Sequence, residues 1–467
     1  MSIRNEVVTI YGRIVRHDKP VFWGRITVDL LSHQITNVEL GEGLEADYVF
    51  GLECLIFAGF CDVHIHARED NTGKQNYKED YATAAAAALH GGVVCMCAMP
   101  NTPDPVVNGQ LFSWHRDRIR QLELPTVVLN YLGVDGTTDP LGRAGAYPYK
   151  LYFGKSVGSL TVTYAGDLET ILARYRNEYV SFHVEYEPIV LASSGGRTHS
   201  DRRPVECVAE GLRLLLPLIE KYRIKAKLCH WSVGGDSFRQ IKECRDRGCD
   251  VMLEVSPLHL LFDTSVTDND PSFWTKVQMN PAIQGLEHRK ALIEGLRSGF
   301  IQMLATDHAP HTEEEKFSAF AKFHERFPGL SNKEIAARLR EEDPKLFEAT
   351  CVENNTSGAP WLDTYALVCA WLMREHGFTP QDIARVAAYN PGQFVNQFTS
   401  LQFPERNFGE GFGDIAPGYM GSLTVLNTER GTMVNRENLK TKVGWSPLEG
   451  WELPGSIEAV FIGGERH

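Results

Sequence analysis

The chain has 467 residues, 43% hydrophobic and 23% charged, which excludes a small single-core module and a disordered or collagen-like polymer. A formal net charge of −13 argues against nucleic acid as the main partner, and no apolar run reaches the length of a membrane span. An enzyme with this charge acting on an anion needs a local positive pocket built from metals, Arg and His. From the start of the chain, residues 1–6 lack the basic start and apolar core of a secretory leader, so the expected compartment is the cytoplasm. The ten cysteines are too sparse for a disulfide framework, and Cys95, Cys97 and Cys229 fall in apolar runs as buried thiols would.

Residues Arg4–Val49 carry alternating runs such as Val7–Tyr11 and Arg25–Val28. Then come eight short β-rich runs: Leu55–His66, Val93–Met99, Thr126–Val134, Tyr149–Phe153, Val180–Glu185, Ala226–Trp231, Asp250–Val255 and Ile301–Thr306. Between most of them lie helix-like stretches, including Tyr77–His90, Pro204–Tyr222, Asp236–Arg247 and Leu286–Ser298; Gly133–Tyr147 reads as loop. Apolar strands alternating with helices predict a parallel sheet, and eight such units predict an α/β fold of the (β/α)8 TIM-barrel type. Residues Asp414–Glu465 alternate again, in Ser422–Leu426 and Ala459–Ile462. Neither end alone buries much core, so the two are expected to pair into a small β-sandwich. The expected boundaries are 1–54 and 396–467 for the sandwich and 55–395 for the barrel. Two polar insertions, Asp263–Lys276 and Glu313–Asn354, interrupt the barrel; the sequence assigns neither a function.

The chemistry gathers at the ends of the strand runs. In Asp62-Val63-His64-Ile65-His66, strand alternation puts both imidazoles on one face, where they suit one zinc ion. An isolated His-x-His is more often structural. Here, however, His183 ends the fifth run, His230 the sixth, and Asp307-His308-Ala309-Pro310-His311 follows the eighth. Catalytic residues of a (β/α)8 barrel come from the carboxyl ends of different strands, so four such arrivals favour a metal centre. Two divalent ions held by four neutral histidines and one aspartate need another anion. Lys150 lies inside the apolar fourth run, and burial lowers a lysine's pKa. A neutral amine can take up carbon dioxide and become a carbamate that bridges two metals. Lys155, past the strand, is the alternative.

From about Ala58 to Phe394 these residues resemble the dihydroorotase family of the amidohydrolase superfamily, with looser echoes in both flanks. His64-Ile65-His66-Ala67-Arg68 resembles the family's first-strand motif, Met99-Pro100-Asn101-Thr102 the second-strand motif, and Asp307-His308-Ala309-Pro310-His311 the eighth-strand signature. The resemblance implies two zinc ions per chain, bridged by carboxylated Lys150 and a hydroxide. His64, His66, Lys150, His183, His230 and Asp307 would be the metal ligands. It implies Asp307 as the catalytic proton shuttle, and Arg68, Asn101, Asn280 and His311 as contacts to the substrate. The implied reaction interconverts N-carbamoyl-L-aspartate and L-dihydroorotate in pyrimidine biosynthesis. Rival readings are a dihydropyrimidinase or allantoinase, or a catalytically dead dihydroorotase-like scaffold. The expected partner is a small anionic substrate, not nucleic acid or membrane. Self-association and other pyrimidine-pathway enzymes remain open, with residues 313–354 as a docking surface.

Overall fold

A computed structural model describes residues 6–154, 160–163, 165–266, 272–352 and 356–467. Runs of Val, Ile, Leu, Cys and Phe that are buried end to end, such as Val93–Ala98, form strands covered on both faces. Eight strands, wholly or largely buried, make a barrel: β1 Phe60–Ile65, β2 Val93–Ala98, β3 Val127–Asn130, β4 Pro148–Phe153, β5 Tyr179–Val184, β6 Lys225–Leu228, β7 Val251–Val255 and β8 Met303–Leu304. Neighbours pair in parallel from β1 to β3 and from β4 to β8. Between these two arcs, β3 breaks at Tyr131 and resumes as Leu132–Gly133, which pairs with β4. The ring closes through a parallel bridge between Ile65 and His308, with the His66 amide donating to the His308 carbonyl at 2.7 Å. The fold is thus a (β/α)8 barrel with an added β-layer.

The outer helices follow from spacing and caps. Val205–Tyr222 buries Val208, Leu212, Leu215 and Ile219, an i, i+3/i+4 stripe facing the sheet, and ends at Arg223 in the left-handed region. Each of these aliphatic side chains contributes about 1.5–3 kcal/mol on burial. Tyr81–His90 starts later than the sequence pattern predicts, because Asp80 and Thr83 form a capping box there. Residues 134–147, between β3 and β4, are neither helix nor strand.

The first β-rich run, Leu55–His66, is in fact two strands. Cys54–Ala58 belongs to the added layer, pairing in parallel with Val7–Arg16 and antiparallel with Leu423–Asn427. Gly59 then lets the chain cross into β1, since a Cβ there would come 2.4 Å from a Val94 methyl. Both chain ends therefore meet in one eight-stranded mixed sheet. Helix Asn390–Gln402 packs back on the barrel, where Gln402 exchanges two hydrogen bonds with the Asn130 backbone, at 2.8 and 3.1 Å. Among the described residues, no helix is long and apolar enough to cross a membrane.

Candidate metal-dependent active site

At the carboxyl ends of the strands, residues from β1, β5, β6 and the segment after β8 converge on one cavity. His64 and His66 stand on the same face of β1, and their Nε2 atoms lie 3.2 and 3.1 Å from Asp307 Oδ1. His183 Nδ1, from β5, lies 3.1 Å from His230 Nε2, just past β6. The His64 and His230 ring centres are 5.3 Å apart, so the two groups adjoin. Arg68, His230 and Asp307 all have positive φ, at 59°, 35° and 50°. Side chains rarely adopt that backbone, and such strain is characteristic of sites that must aim particular groups.

The outer nitrogens of three histidines are held from behind. His64 Nδ1 meets Glu254, His66 Nδ1 lies 2.8 Å from Asn101 Oδ1, and His183 Nε2 lies 2.9 Å from Glu185 Oε2. Arg203 pairs with Glu185, and Lys227 with Glu254. A ring nitrogen that donates to such an acceptor leaves its other nitrogen as a lone pair. In that tautomer, the inner nitrogens of His64 and His66 face the Asp307 carboxylate, acceptor against acceptor. Such contacts near 3 Å fit a cation coordinated by all three. His64, His66 and Asp307 indeed offer three ligand atoms within 4.8 Å of one another. His64, Cys229 and Glu254 cluster as tightly, but there Lys227 already supplies the positive charge.

Charge at the site follows burial first. Burial pushes the His66 pKa down to about 4 and lowers those of His183 and His230. With no cation present, burial at His64 is outweighed by Asp307 and Glu254, which raise its pKa to about 9 and leave the ring protonated; a bound cation would replace the proton on its inner nitrogen. Burial alone would raise the Asp307 pKa, but His64 and His66 bring it below the usual carboxylate value.

Among the buried side-chain atoms without a hydrogen-bond partner are His230 Nδ1 and Lys150 Nζ. Lys150 is wholly buried in β4, with Nζ 5.0 Å from the centre of the Tyr152 ring. Its charge acts on His64, His183, His230 and Asp307. An unpaired buried ammonium is destabilising by several kcal/mol, about the effective penalty for a single buried ion. Lys155 lies outside the described residues.

Arg68, Asn101 and Asn280 line the same cavity. His311 does not line it; it sits behind Arg68, its Nε2 3.4 Å from Arg68 Nη2 and its Nδ1 3.3 Å from Glu315 Oε2. Lys78 completes this group, 2.9 Å from Glu315 Oε1. His308, in the same motif, is structural: its Nδ1 accepts from the Trp361 amide at 3.0 Å, and its Nε2 lies 3.1 Å from Glu79. Sequence reasoning missed Glu254, a lone acid in the apolar run Val251–Val255, although the argument that singled out Lys150 would have found it. It also missed Lys78, Glu315, Tyr152 and Ser357, which no strand-end pattern marks.

No family model matches the chain. A dihydroorotase of Bacillus subtilis is 33% identical over 431 residues, 88% of this chain and 86% of that protein. One of Halalkalibacterium halodurans is 26% identical over 460 residues, 94% of each. Among solved structures, the L-hydantoinase (dihydropyrimidinase) of Arthrobacter aurescens is similar with a TM-score of 0.76 and 18% identity, covering 98% of this chain and 95% of that one. That likeness shows the fold alone. The sequence relationship is closer and nearly full-length, and with it the chain belongs to the dihydroorotase family of the amidohydrolase superfamily, hydrolases of cyclic amide C–N bonds.

Proposed function

We propose that the protein is a dihydroorotase, reversibly closing N-carbamoyl-L-aspartate to L-dihydroorotate. The observation that carries this is Arg68. Its guanidinium is buried at the cavity wall, and no carboxylate pairs with it among the described residues. A buried guanidinium calls for an anion, and the carboxylate of dihydroorotate supplies one. The neutral rings of dihydrouracil and allantoin do not. His311 accepts from Arg68 at Nε2 and donates from Nδ1 to Glu315, which fixes the guanidinium plane. Arg68 thus gives a strongly acidic protein the local positive pocket that an anionic substrate requires.

His64, His66 and Asp307 would hold one zinc ion, and His183 and His230 another, with carboxylated Lys150 as the shared ligand. The metals would supply Lewis acidity to the ring carbonyl and to the attacking water. The chain's own groups do the rest. Arg68 and Asn101 orient the carboxylate, and Asn280 contributes a further polar contact. In ring opening, an Asp307 carboxylate oxygen takes the water proton and passes it to the departing ring nitrogen. Ring closure runs the same transfers backwards. Protein prepared without chelator and reconstituted with zinc is expected to hold two ions per chain by elemental analysis; a value staying near zero would contradict the two-metal reading.

Arg68→Met tests the substrate assignment. Loss of a buried charge-assisted pairing, about 1.5–3 kcal/mol, should lower kcat/KM for dihydroorotate roughly 10- to 150-fold. Zinc content should stay the same, and any residual turnover of dihydrouracil should be unaffected. An equal loss on both substrates would mean that Arg68 does not read the carboxylate.

A further inference from the structure

The inserted residues after Glu313 form a helical lobe with its own apolar core, built around Phe320, Ile335, Leu339 and Phe347. In its first turn lies Lys316, fully buried, with no acidic partner among the described residues. Its Nζ reaches three backbone carbonyls, those of Gln278, Thr356 and Gly358, each at 2.8 Å. Burial pushes its pKa far down. The geometry nonetheless requires the ammonium. Three carbonyls match its three N–H groups, whereas a neutral amine has two and would turn a lone pair on the third carbonyl.

These carbonyls belong to two segments of the cavity wall. Met279 and Asn280 line the cavity from one, Ser357 and Gly358 from the other. The Gly358 amide also donates to the Gln278 carbonyl at 2.8 Å. Gly358 has φ +121°, and a Cβ there would come 2.7 Å from the Ala309 carbonyl oxygen, so the junction admits no side chain. Across it, Ser357 Oγ donates to Asn280 Oδ1 at 3.2 Å. His199 Nε2 lies 2.9 Å from both the Met279 carbonyl and Asn280 Oδ1. Facing two oxygens, that nitrogen carries the proton. Asn280 Oδ1 is therefore occupied by two donors, and its Nδ2 is left for an acceptor in the cavity, such as a ring carbonyl of a cyclic amide.

We propose that Lys316 is a positioning residue: by tying residues 278–280 to residues 356–358 it sets the Asn280 amide for substrate binding, and so makes the inserted lobe part of the site's architecture. This rests on reading Asn280 as a substrate contact. The test compares Lys316→Met and Ser357→Ala with wild type. It uses whichever of dihydroorotate, dihydrouracil or hydantoin the wild type turns over fastest. An error in the substrate assignment would show in the wild type alone and leave the comparison intact. At equal zinc content, Lys316→Met is expected to raise KM about tenfold or more while kcat changes by less than about threefold, the signature of lost substrate binding. Ser357→Ala should raise KM in the same direction, by about threefold, for one lost neutral hydrogen bond. A folded Lys316→Met with wild-type KM, its kcat falling only with the zinc-loaded fraction, would make Lys316 a purely structural residue and overturn the proposal. If Lys316→Met does not fold, Ser357→Ala decides: a raised KM supports the positioning role, and an unchanged one overturns it.

Discussion

Asp307→Asn should abolish ring opening and ring closure together while most of the zinc stays bound. Asp307 follows β8 and is aimed by a positive-φ backbone toward His64 and His66, with Oδ1 3.2 and 3.1 Å from their inner nitrogens. Its lowered pKa keeps it ionised and able to accept a proton. An asparagine keeps the shape and still offers a carbonyl oxygen as a ligand, but it cannot carry a proton from water to the departing nitrogen. Loss of a positioned general acid–base group lowers rates by roughly 10²–10⁴-fold. Stopped assays in both directions, with zinc measured on the same samples, check this. A zinc-loaded Asp307→Asn with near-wild-type rates would leave Asp307 a ligand only.

Lys150→Ala should lose at least one metal and nearly all activity. Every other candidate ligand keeps a hydrogen-bonding neighbour, but Lys150 Nζ is buried without one. An alanine at this position removes the candidate for the shared anion among the described residues. It also leaves space in which a short carboxylic acid can stand in for the carbamate. Added acetate or propionate is therefore expected to restore part of both zinc content and activity. Full activity in Lys150→Ala without additives would rule out a bridging carbamate at this residue.

The parts of this site legible in the sequence are those governed by strand geometry. Alternation in Asp62–His66 put His64 and His66 on one face, and the strand ends at His183, His230 and Asp307 lie around one cavity. An apolar strand made Lys150 conspicuous. Relations made only by tertiary packing were not legible. Glu254 reaches His64 from β7, and His311 lies behind Arg68 although their motifs are far apart in the chain. The split of Leu55–His66 at Gly59 was hidden because both halves are equally apolar, and only their partners, Leu423–Asn427 for one and β2 for the other, separate them. Residues 313–352 read as polar from their charged surface, since the apolar side chains that form the lobe's core are interleaved at helical spacing.

The central claim is that the cavity recognises a ring bearing a carboxylate. The most direct measurement is kcat/KM of zinc-reconstituted wild-type protein on L-dihydroorotate, dihydrouracil, hydantoin and allantoin under one set of conditions. A site built around a buried cation should favour dihydroorotate by about 10²-fold or more, because the neutral rings leave Arg68 unpaired. A higher value for any of the neutral rings would contradict the dihydroorotase reading while leaving the cyclic amidohydrolase fold and chemistry in place.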